Sequence, residues 1–273
     1  MMPELPEMDN YRIQLSNYVL DLPITNIVIN REKSVNLEPD AFIDSLLGRQ
    51  IIFIERRGKH LLFHLDNGRR LVLHLMLGGL LYLGSSDDRP DRNTQIEVSF
   101  GNGLVLYFIG LRLGYLHLRT AKEAEEQLSD LGPELLDRRM NEEKFITIFR
   151  KRRGSLKTAL VNQEIVAGIG NCYADEISFA AGLRPSAKLQ NLTEDDLSRL
   201  YQATRDVLIH ATDAGGYMEL PLTKDDQLTG GFNELCQVYD REGEKCNRCG
   251  DEIVKTEISG KKAFYSPGCQ HER

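Results

Sequence analysis

An α+β fold in two parts is predicted for this chain by three observations. A helix-spaced segment opens it, short apolar runs separated by tight-turn signals follow to about residue 109, and helical periodicity takes over beyond Gly132-Pro133. With 273 residues there is length for two domains with cores of their own, and the apolar (41%) and charged (27%) fractions are those of an ordinary globular protein.

The opening helix is read from Met8, Tyr11, Leu15 and Tyr18, which recur at near-helical spacing. Strands are expected at Ile24 to Asn30, Ile51 to Glu55, Leu61 to Leu65, Leu71 to Leu75, Ile96 to Phe100 and Leu104 to Ile109. Arg57-Gly58-Lys59-His60, Asp66-Asn67-Gly68 and Gly101-Asn102-Gly103 are the turns between successive pairs, which makes the region an antiparallel β-sandwich. Farther along, Thr193-x-x-Asp196 has the form of a capping box. Leu197, Leu200, Tyr201, Thr204, Val207, Leu208 and Ala211 then give the following helix one buried face, with helical character ending near residue 214. The main boundary is expected between residues 120 and 140, with no internal repeat and no low-complexity tract.

Composition excludes several classes. No apolar run is long enough to span a bilayer, and the first residues lack the basic region and apolar core of a secretion signal, so a cytoplasmic protein without membrane contact is expected. Five cysteines, three of them near the C-terminus, point to a metal site rather than a disulfide framework. A net charge of −7 is unfavourable for nucleic-acid binding taken as a total, but its distribution is uneven. Acidic residues gather in Glu123-Ala124-Glu125-Glu126 and Glu194-Asp195-Asp196, and basic ones in Arg150-Lys151-Arg152-Arg153 and Lys261-Lys262.

The most informative segment is the start, Met1-Met2-Pro3-Glu4-Leu5-Pro6-Glu7. If translation begins at Met2 and that residue is removed, Pro3 carries a free secondary amine. With a pKa of about 8, such an amine is partly unprotonated near neutrality and can attack a sugar carbon, with a carboxylate one residue away to move protons. The competing reading is that Pro6 merely occupies a first helical turn, with Glu7 favoured there by the helix dipole. A chain that keeps Met1-Met2 would hold the Pro3 nitrogen in an amide and could not use it.

Four motifs in order, Pro3-Glu4-Leu5-Pro6-Glu7, Arg56-Arg57-Gly58-Lys59, Ala167-Gly168-Ile169-Gly170-Asn171 and Cys246-x-x-Cys249, resemble the formamidopyrimidine-DNA glycosylase and endonuclease VIII family nearly end to end. The resemblance implies a base-excision-repair glycosylase with abasic-site lyase activity, acting as a monomer on damaged double-stranded DNA. Its parts would be a catalytic sandwich domain (1–130), a helix-two-turns-helix domain (131–235) and a zinc-finger β-hairpin (236–273). It assigns Pro3 as nucleophile, Glu4 as proton donor, Glu7 as support for the amine and its helix, and Lys59 as a phosphate contact that assists elimination. The damaged nucleotide would be flipped from the duplex, and successive β- and δ-elimination would cut the strand. Gly168, Gly170 and Asn171 would grip the DNA backbone, Lys157 would approach the DNA, and Lys261 stands where the family has a catalytic arginine. Arginine's planar fork is lost in that exchange.

Two further departures carry weight. The family's four-cysteine finger finds Cys246, Cys249 and Cys269 here but Ser266 at the third ligand position, so a structural zinc site is short of one thiolate, with His271 the nearest candidate replacement. At the helix-probing positions of the purine-specific branch stand Leu77, Leu111 and Leu113, with Arg112 between two of them. Aliphatic residues can wedge a base step but not hydrogen-bond to an orphan base, which tilts the reading toward the endonuclease VIII branch. Two alternatives stay open: a DNA-binding protein of this fold without lyase activity, and an unrelated zinc-stabilised interaction module.

Overall fold

The structure, a computed structural model, describes residues 2–273. Their chain forms two compact units, one running up to Ser129 and taking in Ala214–Gly231, the other made of Asp130–Asp213 and Phe232–Arg273.

The first unit is a sandwich of two four-stranded antiparallel sheets. One sheet has the order β1-β6-β7-β5, from Ile24–Ile29, Thr94–Phe100, Val105–Ile109 and Leu80–Gly84; the other is β2-β3-β4-β8, from Ile51–Arg57, His60–Leu65, Arg70–His74 and Tyr115–Arg119. Helix α1 (Leu5–Tyr18) buries Met8, Tyr11 and Leu15 in a core shared with Ile27, Phe63, Leu73, Val98 and Phe108 of the two sheets, while Tyr18, the fourth member of the spacing, stays 44% exposed. Short helices α2 (Pro39–Asp44) and α3 (Ala121–Gln127) complete the unit.

Strand β6 alternates buried and half-buried residues as a one-sided strand should, whereas every residue of β7 is buried. The cause is the returning segment 214–231. Its Leu220 packs on Leu80, Val105, Tyr107 and Ile109, and Leu222 accepts a 2.6 Å hydrogen bond from the Leu83 amide. Strands β5 and β8 went unpredicted. Each is five residues long, and in β8 polar His117 and Arg119 alternate with just two inward leucines.

The second unit carries α4 (Glu142–Arg150), α5 (Leu156–Leu160), α6 (Asn171–Ala180), α7 (Glu194–Asp213) and the hairpin β9 (Val254–Ile258) and β10 (Lys261–Tyr265). The capping box holds as expected: the Thr193 hydroxyl accepts from the Asp196 amide, and the Asp196 carboxylate accepts from the Thr193 amide.

Two compact units stand where three parts were expected. The finger does not stand alone, because Phe179 of α6 shares a core with Val238, Cys246, Ile253 and Phe264, and the buried Glu176 carboxylate accepts the amides of Gln237, Val238 and Tyr239. Residues 214–231, expected in the helical domain, belong with the sandwich for the packing reasons just given.

Candidate active site and nucleic-acid interface

Pro3 is buried and leads directly into α1. Glu4 is the N-cap in extended conformation, and Glu4 and Glu7 form a capping box in which the Glu4 amide donates to Glu7 Oε2 at 2.8 Å. Glu7 Oε1 accepts from the Tyr217 amide, also at 2.8 Å. That bond depends on Gly216, whose φ is +77° and whose position leaves no room for a Cβ, which would stand 2.3 Å from Glu7 Oε1. Lys59 follows Gly58 (φ +56°) in the β2–β3 turn and is 5% exposed. Burial pushes its pKa down, while the charges of Glu4 and Glu7 pull it back up. The structure thus brings Glu4, Glu7 and Lys59 together at the end of α1 that Pro3 begins. A buried lysine in the field of two carboxylates suits proton transfer and anion contact.

Beside Lys59 lies a group the sequence reading missed. In the register of the sheet, His60 pairs with His74 and His74 with Tyr115; the two imidazoles stack at 4.1 Å, and His60 Nε2 lies 3.1 Å from the Tyr115 hydroxyl. Burial, helped by His60 and Lys59, pushes the pKa of His74 down to about 3, so the ring is neutral near pH 7. The available signal was polar aromatic residues at alternating strand positions.

Leu77 and Leu113 are exposed at 59% and 63% on the β4–β5 and β7–β8 turns, and Arg112 is exposed beside Leu113. The turns abut so closely that a Cβ on Gly110 would meet the Gly78 carbonyl oxygen at 2.1 Å. Leu111 needs correction as a helix-probing residue. It is fully buried in the sandwich core, with its amide bonded to Gln95 Oε1 at 3.0 Å, and is not exposed beside Leu113.

In the second unit, the two-turn connection between α5 and α6 is braced by Gln163, which accepts from the Gly168 amide at 2.9 Å and donates to the Ile169 carbonyl at 2.7 Å. Gly168 has a φ of +99°, Gly170 is the N-cap of α6, and Asn171 is exposed as its first residue. Asn171 is exposed at a helix N-terminus, the end of a helix that favours anions. Lys157 is not. Its side chain is fully buried, donating to the Asn171 carbonyl and to Asp175 Oδ1, both at 2.8 Å, so the expected approach to DNA is replaced by a bracing role under Asn171. Asp175 Oδ2 also accepts from the Phe264 amide of β10, and burial pushes its pKa up to about 7 against the pull of Lys157. Lys261 is half-buried at the start of β10, next to the Ser259-Gly260 turn, where both residues have positive φ.

Cys246, Cys249 and Cys269 place their sulfurs within 4.8 Å of one another. The Cys246–Cys269 separation of 3.7 Å matches the edge of a tetrahedron with zinc–sulfur bonds of about 2.3 Å. The Arg248 amide donates to Cys246 Sγ at 3.4 Å, as a turn wrapped round a thiolate does. The donor set therefore fits a structural zinc ion. Ser266 is fully buried with Oγ 3.2 Å from Cys249 Sγ. His271 lies outside the cluster, exposed, its backbone tied to Gly182 and Arg184, which corrects its candidacy as a ligand.

Three family profiles match in succession: the formamidopyrimidine-DNA glycosylase N-terminal domain over residues 2–115, its H2TH domain over 131–219, and the zinc finger found in FPG and IleRS over 243–271. The formamidopyrimidine-DNA glycosylase of Bacillus cereus (strain ATCC 14579) is 34% identical over 98% of this chain and 99% of its own length; that of Pelotomaculum thermopropionicum is 33% identical over the same shares. Among solved structures, the Lactococcus lactis Fpg in complex with abasic-site DNA superposes with a TM-score of 0.90 at 28% identity, covering 98% of this chain and all of that one. The same enzyme bound to Fapy-dG DNA gives 0.90 at 29%. Identity at this level, sustained through three successive domains and almost the full length of the relatives, makes the chain a member of the formamidopyrimidine-DNA glycosylase family.

Proposed function

We propose that this chain is a bifunctional base-excision-repair glycosylase that removes oxidised bases from duplex DNA and cuts the strand through a Schiff base on Pro3. The observation that carries the reading is the assembly of Glu4, Glu7 and Lys59 at the start of the helix that Pro3 leads into. With residues 1 and 2 removed, the Pro3 nitrogen attacks C1′ of the everted nucleotide. The N–C1′ bond forms as the glycosidic bond breaks, and the base leaves with a proton. Glu4 supplies the proton to O4′ as the C1′–O4′ bond breaks, and this ring opening itself leaves the C1′=N iminium and a C4′ hydroxyl. Glu7, anchored to Tyr217, fixes the first turn of α1. Lys59 contacts the lesion phosphate, and β- then δ-elimination release the two strand ends. Asn171 and Lys261 hold backbone phosphates, and Lys157 acts through Asn171. Zinc, held by Cys246, Cys249 and Cys269 with Ser266 Oγ at the fourth corner, would stabilise the hairpin fold and takes no part in the chemistry.

Formamidopyrimidine lesions, which the family relatives are named for, are the proposed substrates. A second reading, preference for oxidised pyrimidines as in the endonuclease VIII branch, is favoured by the aliphatic tips Leu77 and Leu113, which can wedge but not read the opposite base. The test is excision from duplexes carrying a formamidopyrimidine or an oxidised pyrimidine opposite each of the four bases, with end-group analysis of the products. Faster formamidopyrimidine release, little dependence on the opposite base and 3′-phosphate ends are expected. Faster pyrimidine release would favour the second reading, and tight binding without any strand cleavage would overturn the lyase assignment.

A further inference from the structure

The segment 214–231 holds one face of α1 near both of its own ends, with the Tyr11 hydroxyl donating to the Leu220 carbonyl at 3.4 Å between them. Near its start, Gly216 and the Tyr217 amide seat Glu7. Near its end, a polar network holds the next turns of the helix. Thr229 Oγ1 accepts from Asn10 Nδ2 at 2.7 Å and donates to Asp226 Oδ2, which also accepts from Gln14 Nε2 at 2.9 Å. Asp226 in turn closes its own loop, taking the Leu222 amide at 2.9 Å on Oδ2 and the Leu228 and Thr229 amides at 3.0 and 3.1 Å on Oδ1. Glu7, Asn10 and Gln14 are spaced three and four residues apart, so all three bonds fall on one stripe of α1.

We infer that Asp226 and Thr229 are positioning residues for the N-terminal nucleophile, acting by fixing the rotation and tilt of the helix that carries Pro3 and Glu4. Resting on the Schiff-base reading above, this assigns to a loop more than 200 residues away in sequence the task of aiming the amine. Neither residue needs to touch DNA. A carboxylate saturated by three loop amides, a hydroxyl and a side-chain amide has no capacity left for a substrate, but it makes loop and helix move together. Freedom of α1 by a fraction of an ångström at its first turn would take the amine out of line with C1′, and such misplacement costs rate steeply.

The test compares Thr229→Val, Thr229→Ser and Asp226→Ala in full-length protein processed to Pro3. Each is measured for single-turnover borohydride trapping on an abasic duplex, for the duplex dissociation constant, and for amide hydrogen exchange in the first turns of α1. Thr229→Val and Asp226→Ala should slow trapping on the order of tenfold to a hundredfold. Their dissociation constants should change by no more than about twofold, a shift of under about half a kcal/mol. Exchange across residues 5–10 should quicken, and Thr229→Ser, which keeps the hydroxyl, should behave as the wild type. Wild-type trapping rates in Thr229→Val, or a loss matched by weaker DNA binding, would overturn the inference. If the wild type itself forms no adduct, the lyase reading is at fault rather than the positioning, which then stands or falls on whether α1 exchange rises in the two variants.

Discussion

Lys157→Met removes the cation from a fully buried ion pair while keeping most of the side-chain volume. It leaves Asp175 without its charge partner in a site closed to solvent, and the Asn171 carbonyl without its donor. Breaking one side of such a pair costs about 3–5 kcal/mol, a large fraction of the 5–15 kcal/mol, roughly, that holds a domain folded. Replacing both partners, as in Lys157→Met with Asp175→Leu, removes the buried charge altogether. What remains is the loss of a partner at the Phe264 amide and the Asn171 carbonyl, at about 1–3 kcal/mol each. The double variant should therefore be at least as stable as the single one, the signature of strong coupling between the two sites. The orphan carboxyl can also take up a proton. A pKa raised by folding favours the fold below it and opposes it above, so the deficit of Lys157→Met should widen as pH rises past about 7, the value burial gives Asp175 even beside its lysine. Urea unfolding at pH 6 and pH 8, followed by circular dichroism because the chain has no tryptophan, measures both effects. A deficit below about 1 kcal/mol at pH 8, or one that Asp175→Leu deepens, would refute the bracing role, which rests on the cost of leaving a buried charge uncompensated.

Gly216→Ala should lose most lyase activity with DNA binding retained, because a Cβ 2.3 Å from Glu7 Oε1 at a φ of +77° must displace the carboxylate from the Tyr217 amide; trapping rate against dissociation constant separates the two. His74, its pKa pushed down from 6.5 to about 3, gives stability that is present above pH 6.5 and is lost as pH falls toward 3. Between pH 6.5 and 5 the loss is about 2 kcal/mol, at about 1.4 kcal/mol per pH unit. Denaturation curves of His74→Gln should accordingly show a shallower acid-side decline than those of the wild type. Ser266→Cys should raise zinc affinity by adding a fourth thiolate, read by competition with a chromophoric chelator and by a stronger sulfur-to-metal charge-transfer band in the cobalt form; equal affinity and an equal band would place Ser266 outside the site.

Alternation and turn chemistry made the sandwich legible: Gly68 and Gly103 take the positive φ their turns require, and the six expected strands are present. Strands β5 and β8 were not, because each is only five residues long, β5 buried on both faces without alternation and β8 carrying just two inward leucines. The return of 214–231 to the first unit could not be read locally, since it rests on long-range bonds from Asp226 to α1 and from Leu222 to β5. At the site, the family resemblance singled out Glu4, Glu7 and Lys59, and cysteine spacing the three clustered thiols. Neither tells an exposed from a buried side chain, which is why Leu111 and Lys157 read as DNA contacts in the sequence and why Asp175, Gln163 and His74 do not stand out there. Burial is decided by partners distant in the chain, and a run such as Leu111-Arg112-Leu113 looks the same with either leucine inside.

Borohydride trapping on an abasic-site duplex, followed by peptide mapping of the adduct from protein whose N-terminus has been verified as Pro3, tests the central claim most directly. A single covalent complex mapped to Pro3, abolished when the nitrogen is acylated, is the predicted result. Measurable DNA binding with no adduct, or an adduct mapped to Lys59 or another lysine, would contradict it.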